Sequence, residues 1–324
     1  MTEFVADYDF ALPAELIASR PLSQRDASRM LVLHRGSGQI EHRSFRNLPD
    51  YLQPGDIVVL NNSRVIKARL LSHDLRIELL LIESLDVRKW NCLVKPGRKM
   101  RPGFEFLIAD TTAHVREILE DGSRIVEFDS EPDLERFGSI PIPPYLHRDA
   151  DAEDEIRYQT VFAEAAGSVA APTAGLHFTP ELLFRIPHTQ LTLHVGIGTF
   201  LPVKVERVAD HRMHSEHYSI GEDAARAINA AARILAVGTT ATRVLESQPP
   251  GPIMSRSAST NIFIYPPFTF RRVGALLTNF HLPKSTLLML VCAFAGREEV
   301  LAAYAEAIRE RYRFFSYGDC MLVV

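Results

Sequence analysis

A few short segments hold most of the side chains that could carry chemistry. Gly167-Ser168-Val169-Ala170-Ala171-Pro172-Thr173-Ala174-Gly175-Leu176-His177-Phe178-Thr179 is rich in small residues, so its backbone can approach a ligand closely. It ends in an imidazole and an aromatic ring, and a tightly packed loop around a core histidine would read the same way. Leu193-His194-Val195-Gly196-Ile197-Gly198-Thr199-Phe200 is a strand running into two glycines that could cradle a nucleotide. The third glycine of the dinucleotide fingerprint is missing. His211-Arg212-Met213-His214-Ser215-Glu216 sets two imidazoles beside a carboxylate and invites a zinc reading. No third soft ligand lies nearby, and the flanks read as a loop entering a strand. Imidazoles hydrogen-bonded around a polar substrate are therefore expected, with no metal.

Three further segments lie downstream. Ala236-Val237-Gly238-Thr239-Thr240-Ala241-Thr242-Arg243 is a strand ending in a helix N-terminus, whose free N–H groups favour an anion. Arg243 could grip the same group or pair with Glu246. Leu277-Thr278-Asn279-Phe280-His281-Leu282-Pro283 is a polar cluster leading into a buried helix, and Phe314-Phe315-Ser316-Tyr317-Gly318-Asp319 sets a carboxylate beside a glycine turn. Their concentration in one half of the chain points to a site built from loops at strand ends.

The elements that must position these residues divide into two kinds. Ile57–Leu60, Arg76–Leu85, Lys89–Val94, Phe104–Ala109 and His114–Phe128 read as strands, with Asp121-Gly122 as a hairpin turn needing positive φ at both residues. Short strands without intervening helices predict a small closed antiparallel barrel. Pro141, Pro143 and Pro144 stiffen a natural boundary. Beyond it strands alternate with helices: Leu191–Val195, Asp223–Arg233 (helix), Ile234–Val237, a helix from Thr240, and Asn261–Ile264. Ser285 caps the helix Thr286–Ala295, Gly296 ends it, and Cys320–Val324 is a buried strand. The helix Glu298–Tyr312 should bury Leu301, Tyr304, Ala305 and Ile308. The expected architecture is an α/β domain with a largely parallel sheet, residues 1–56 and 141–324, interrupted by a β-barrel domain, residues 57–140.

The 324 residues are 46% hydrophobic and 23% charged, the composition of an ordinary folded protein. The start has no basic, apolar leader pattern, and the longest apolar run, Leu287–Ala295, is far short of a membrane span. A cytoplasmic location is expected, with Cys92, Cys292 and Cys320 as reduced, buried thiols. The net charge of −4 is unevenly placed. Between Asn61 and Gly103 ten basic side chains face four acidic ones, +6, which leaves −10 on the rest. A positive module on a negative body suits attraction of a phosphate backbone, although a solvated strand surface would also look so.

Taken together these blocks resemble the S-adenosylmethionine:tRNA ribosyltransferase-isomerase family of queuosine biosynthesis. The resemblance begins at Asp7-Tyr8-Asp9-Phe10, passes through Arg25-Asp26-Ala27-Ser28-Arg29, Asn61-Asn62-Ser63-Arg64-Val65 and Tyr158-Gln159-Thr160-Val161-Phe162, and takes in every segment above. Ala170 to Phe178 and Thr278 to Pro283 are its least degenerate strings. Pro266-Pro267, standing where the family commonly has proline-glycine, and a few shortened connections depart from the pattern.

The resemblance implies transfer of the ribosyl group of S-adenosylmethionine to 7-aminomethyl-7-deazaguanine in the tRNA anticodon, giving epoxyqueuosine with release of adenine and methionine. S-adenosylmethionine is then a co-substrate, with no prosthetic group and no metal. It is expected to lie against Thr173, Gly175, His177, Phe178, His194, Gly196, Gly198, Thr239 and Arg243, with His177 and His194 close together and Phe178 or Phe200 on the adenine. The base that removes a proton beside the sulfonium is sought among His281, His214 with Glu216, and Asp319, with His281 preferred, oriented by Asn279. The tRNA surface is expected at Arg64, Lys67, Arg69, Lys95, Arg98, Lys99 and Arg101, and the chain is expected to act as a monomer away from membranes. A methyltransferase using the same co-substrate should show a glycine-rich first loop near the N-terminus, and none is present. A non-catalytic RNA-binding protein would leave the polar loops unexplained.

Overall fold

The computed structural model of the chain describes residues 3–146, 148–196, 198 and 203–324. Its largest element is a nine-stranded sheet, ordered Arg256–Thr260, Glu216–Ile220, His188–Leu193, Asp56–Asn61, Arg233–Val237, Val273–Asn279, Cys320–Val323, Arg29–Leu33 and Ile40–Ser44. The four central strands from His188–Leu193 to Val273–Asn279 are mutually parallel, and Cys320–Val323 is parallel to Arg29–Leu33. The other four pairings are antiparallel. The sheet is therefore mixed rather than largely parallel, because its last strand turns back against Val273–Asn279 and both edges are antiparallel. The Arg29–Leu33 and Ile40–Ser44 strands were not among the expected elements, although Met30-Leu31-Val32-Leu33 is a short apolar run of the kind a buried strand shows.

Burial explains why the central strands are near-continuous apolar runs. Leu31, Leu33, Val59, Ile234 and Ala236 point into one layer of core with the helices Thr286–Ala295 and Arg297–Arg309. Met30, Val32, Val58, Leu60, Leu235 and Val237 point the opposite way, onto Phe45, Phe178 and Leu182. Ser285 caps its helix as expected, its side chain accepting from Leu288 N, and Gly296 closes it at φ 91°. The next helix buries Val300, Ala303, Tyr304 and Ala307, so its apolar face is offset from the expected one and Ala305 is exposed. The strand expected at Asn261–Ile264 lies earlier, at Arg256–Thr260.

Residues from Arg69 to Phe128 form a second, six-stranded antiparallel sheet. Bulges at Leu81/Glu83, Ser84/Asp86 and Ile125/Val126 curl it around Leu79, Cys92, Val115, Val126 and Phe128. It makes a half-barrel: no pairing among the described residues joins its outer strands, Arg69–Leu71 and Glu105–Ile108. Asp56–Asn61, expected at the start of the barrel, is instead central in the large sheet. At the predicted hairpin only Gly122 has positive φ, and Leu119 O accepts from Gly122 N, so the loop has three residues rather than two. All three cysteines are free and buried. No helix among the described residues is long and apolar enough to cross a membrane.

Candidate active site

The carboxyl ends of the parallel strands open onto one cleft, where ligands bind in sheets of this kind. It holds about 560 Å³ of free space, part of it open to solvent, and its walls include Val195, Thr173, Thr239, Thr240, Asn279 and His281. Gly238, at φ 84°, turns the Arg233–Val237 strand directly into the helix Gly238–Glu246. The first turn of that helix thus brings its N–H groups to the wall of the cleft, and the buried Thr240 Oγ1 has no partner among the described residues.

Asn279 organises the opposite wall. The Thr173 hydroxyl donates to Asn279 Oδ1 (2.9 Å), and Asn279 Nδ2 reaches His177 Nε2 (3.2 Å) and Asp319 O (3.4 Å). His177 Nε2 must accept that bond, so its proton sits on Nδ1, 2.8 Å from Ser28 Oγ. Burial, helped by the nearby Arg25 and Arg313, pushes the His177 pKa down to about 3. The ring is a neutral brace behind the cleft.

His281 differs in facing the cleft. Its Nε2 lies 2.8 Å from Thr278 Oγ1, its backbone N–H donates to Tyr304 Oη (3.0 Å), and burial lowers its pKa to about 3. The Thr278 hydroxyl can accept from Nε2 or donate to it; in the tautomer that donates from Nε2, Nδ1 is an acceptor with no protein partner among the described residues. Its orienting partner is Thr278, not Asn279, because the Asn279 amide is already shared among Thr173, His177 and Asp319.

The two carboxylates considered as bases are engaged elsewhere. Glu216 and Arg243 form a buried ion pair, and Glu216 Oε1 also accepts from Gly196 N (3.3 Å). Arg243 therefore does not pair with Glu246, whose oxygens take the backbone N–H groups of Arg271, Arg272 and Val273. Asp319 accepts from Arg29 N (2.9 Å) and Arg313 N (2.8 Å), tying the Arg29–Leu33 strand to the loop before Cys320. Neither acid lines the cleft. His214 is exposed, its ring about 3.0 Å from where a side chain on Gly198 would start.

His177 and His194 do not come together. His194 bonds Ser63 Oγ through Nδ1 (2.8 Å), packs against Gly167, and stacks on His217 at 6.5 Å, in a neighbouring cavity that shares Val195 with the cleft and is also lined by Trp90, Asp121 and His214. Phe178 is core, edge-on to Phe45 and Phe162, and Phe200 lies outside the described residues. Gly175 is small for packing, since a β-carbon there would meet Phe162 and Thr160 at 2.8 Å, whereas Gly196 has open space. Of the sequence-selected co-substrate residues, the cleft gathers Thr173 and Thr239.

The cations of the second sheet also divide. Lys67 reaches Glu155 (3.3 Å) and Glu135, and Arg69 is held between Glu78 and Asp149, so both charges are answered within the protein. Lys95 is exposed, with only a long contact to Glu78 (3.6 Å). Arg64, Arg98, Lys99 and Arg101 are exposed.

Comparison with known proteins decides the family. The family model described as Queuosine biosynthesis protein matches residues 5–323. The chain belongs to that family. Within it, the chain is 49% identical over 341 residues to the S-adenosylmethionine:tRNA ribosyltransferase-isomerase of Symbiobacterium thermophilum, covering 99% of each. It is 50% identical over 336 residues to the enzyme of the same name from Thermotoga maritima, again covering 99% of each. A crystal structure of S-adenosylmethionine tRNA ribosyltransferase from Thermotoga maritima superposes with a TM-score of 0.56 at 41% identity, covering 98% of this chain and 100% of that one. Tyr158 and Thr240 also line the cleft; the sequence offered them only as members of the Tyr158–Phe162 and Ala236–Arg243 segments and not as co-substrate residues.

Proposed function

We propose that the chain transfers and isomerises the ribosyl moiety of S-adenosylmethionine onto 7-aminomethyl-7-deazaguanine in the anticodon of tRNA. Epoxyqueuosine-tRNA is formed, and adenine and methionine are released. The observation that carries this reading is the near full-length likeness to enzymes of that name, with a largely apolar cleft carrying a few polar groups at the carboxyl ends of the parallel strands.

The adenosyl group sits in the cleft in this reading. Thr173, its hydroxyl proton committed to Asn279, offers its lone pairs, and the first turn of Gly238–Glu246 offers N–H donors around Thr239 and Thr240. The sulfonium acidifies the neighbouring 5′ carbon, and His281 Nδ1 takes that proton. Loss of adenine, attack by the substrate amine and departure of methionine follow, with general-base help contributing about 10²–10⁴-fold. The phosphate backbone is met by Arg64, Lys95, Arg98, Lys99 and Arg101, Lys67 and Arg69 being spent on internal acids. The enzyme acts in the cytoplasm, where its tRNA substrate is found.

The test is release of adenine from S-adenosylmethionine, followed with tRNA carrying the aminomethyl base and with tRNA lacking it. Release that requires the modified tRNA is expected. Methyl transfer to RNA, or no turnover with the modified tRNA, would overturn the reading.

A further inference from the structure

We propose that Arg25 and Arg157, with Arg313 behind them, form a site for a backbone phosphate of the tRNA, on the α/β half of the chain and apart from the basic loop of the second sheet. The inference rests on the reading of tRNA as substrate.

A pocket enclosing about 270 Å³ of free space opens beside the Arg25–Ala27 turn, with Gln24, Arg25, Ser28, Arg157, His177 and Gly318 in its walls. Its guanidinium groups are held by backbone carbonyls, not by acids. Arg25 donates to Leu176 O (3.1 Å) and Ile156 O (2.9 Å), Arg157 to Ser23 O (3.2 Å), and Arg313 to Arg20 O. The surrounding carboxylates are spoken for. Asp26 pairs with Arg46, Asp151 with Arg20 and Asp154 with Arg148, while Asp319 gives both oxygens to backbone N–H groups.

The charges of Arg25 and Arg157 are accordingly unrelieved. Burial and the field of Arg157 bring the Arg25 pKa down to about 10, and burial lowers that of Arg313 against the opposing field of Asp319. Arg157 Nε and Arg313 Nη1 are buried without any hydrogen-bond partner. Like charges drawn partly out of water without a counter-charge cost free energy, which an anion with several acceptor oxygens recovers through charge-assisted bonds.

The surroundings favour a polyanion over a lone carboxylate. Gln159 clamps Val65, accepting from its N–H (3.1 Å) and donating to its carbonyl (2.7 Å). Arg157 and the exposed Arg64 thus belong to the two segments that this clamp joins, two residues and one residue from it in sequence. The methionyl carboxylate of S-adenosylmethionine would use only its inner end, where Ser316 is shared with the cleft.

The experiment measures binding of tRNA carrying the aminomethyl base across a salt titration, and binding of S-adenosylmethionine by calorimetry, for two variants. Arg25→Gln/Arg157→Gln removes charge but also backbone latches; Gln24→Glu adds a negative charge to the pocket wall, keeps an oxygen to accept from Arg46 as Gln24 does (2.6 Å), and leaves the latches of Arg25 and Arg157 in place. Both should weaken tRNA binding by about tenfold or more and lower the slope of log affinity on log salt by about one, with S-adenosylmethionine binding unchanged. Loss of S-adenosylmethionine affinity with tRNA affinity kept by Gln24→Glu would make the anion the methionyl carboxylate and overturn the proposal. Unchanged tRNA binding in Gln24→Glu would also overturn it, leaving the arginines as latches. Lost tRNA affinity in a protein whose wild type releases no adenine would uphold the phosphate site while the reaction reading fails.

Discussion

Arg243 and Glu216 are ion-paired in the interior, their side chains only 3% and 7% exposed. Glu216 also anchors Gly196 N, so the pair ties the last turn of Gly238–Glu246 to the loop following His188–Leu193. Removing one partner strands a buried charge, and Glu216→Ala should cost about 3–5 kcal/mol. Replacing both together, by Glu216→Leu/Arg243→Met, should cost less than Glu216→Ala. Urea unfolding of the three proteins checks this. A single variant within about 0.5 kcal/mol of wild type would show that the pair is dispensable.

Acid should destabilise the fold through two other buried groups. Unfolded histidine takes a proton near pH 6.5, but His177 and His281 in the fold do so only near 3, burial being the main cause. Between those values the unfolded chain binds more protons, so stability rises with pH and is lost as pH falls. Each histidine contributes a slope of up to about 1.4 kcal/mol per pH unit. Unfolding free energy measured from pH 4 to 6 should therefore climb less steeply in His177→Gln than in wild type. Identical slopes would mean that His177 titrates normally in the fold.

What could be read from the sequence follows from how local the determinants are. The Thr286–Ala295 helix was legible because Ser285 and Gly296 mark its ends through their own backbone chemistry. The Cys320–Val323 strand was legible as buried, but not as antiparallel to Val273–Asn279, because direction depends on a distant partner. The same limit governs the site. His177 and His194 each sit beside glycines in sequence, yet Ser28 claims one and Ser63 the other, contacts 149 and 131 residues apart. Arg243 had a plausible partner one turn away in Glu246, but a carboxylate 27 residues upstream won it. Gly175 looked like ligand space and is filled by Phe162.

The exposed cations of the second sheet predict a salt-dependent tRNA affinity. Replacing Lys95, Arg98, Lys99 and Arg101 together by glutamine should weaken tRNA binding and flatten its salt dependence. Each lost phosphate contact reduces the log–log slope by roughly one. Adding Lys67→Gln and Arg69→Gln should change little further, since internal acids already hold those charges. A dissociation constant for tRNA that is unchanged in the fourfold variant would exclude this surface.

The proton-abstracting role of His281 gives the most direct chemical prediction. Its ring is held by Thr278 at Nε2 and reaches the cleft, burial keeps it neutral, and the tautomer protonated at Nε2 leaves Nδ1 as the acceptor. A conjugate acid of pKa about 3 makes a weak base in the empty enzyme. The imidazolium gains stability only if negative charge develops beside it, as it does when the 5′ carbon is deprotonated. His281→Ala should therefore bind S-adenosylmethionine and tRNA normally but lose single-turnover rate by about 10²-fold or more. Thr278→Val, which frees the ring without removing it, should lose less. Exchange of the 5′ hydrogens of S-adenosylmethionine with solvent deuterium separates the roles: a base mutant stops exchange, whereas a merely structural one slows all steps alike. Near-normal turnover in His281→Ala would move the search to His214, because Glu216 and Asp319 have both oxygens committed within the fold.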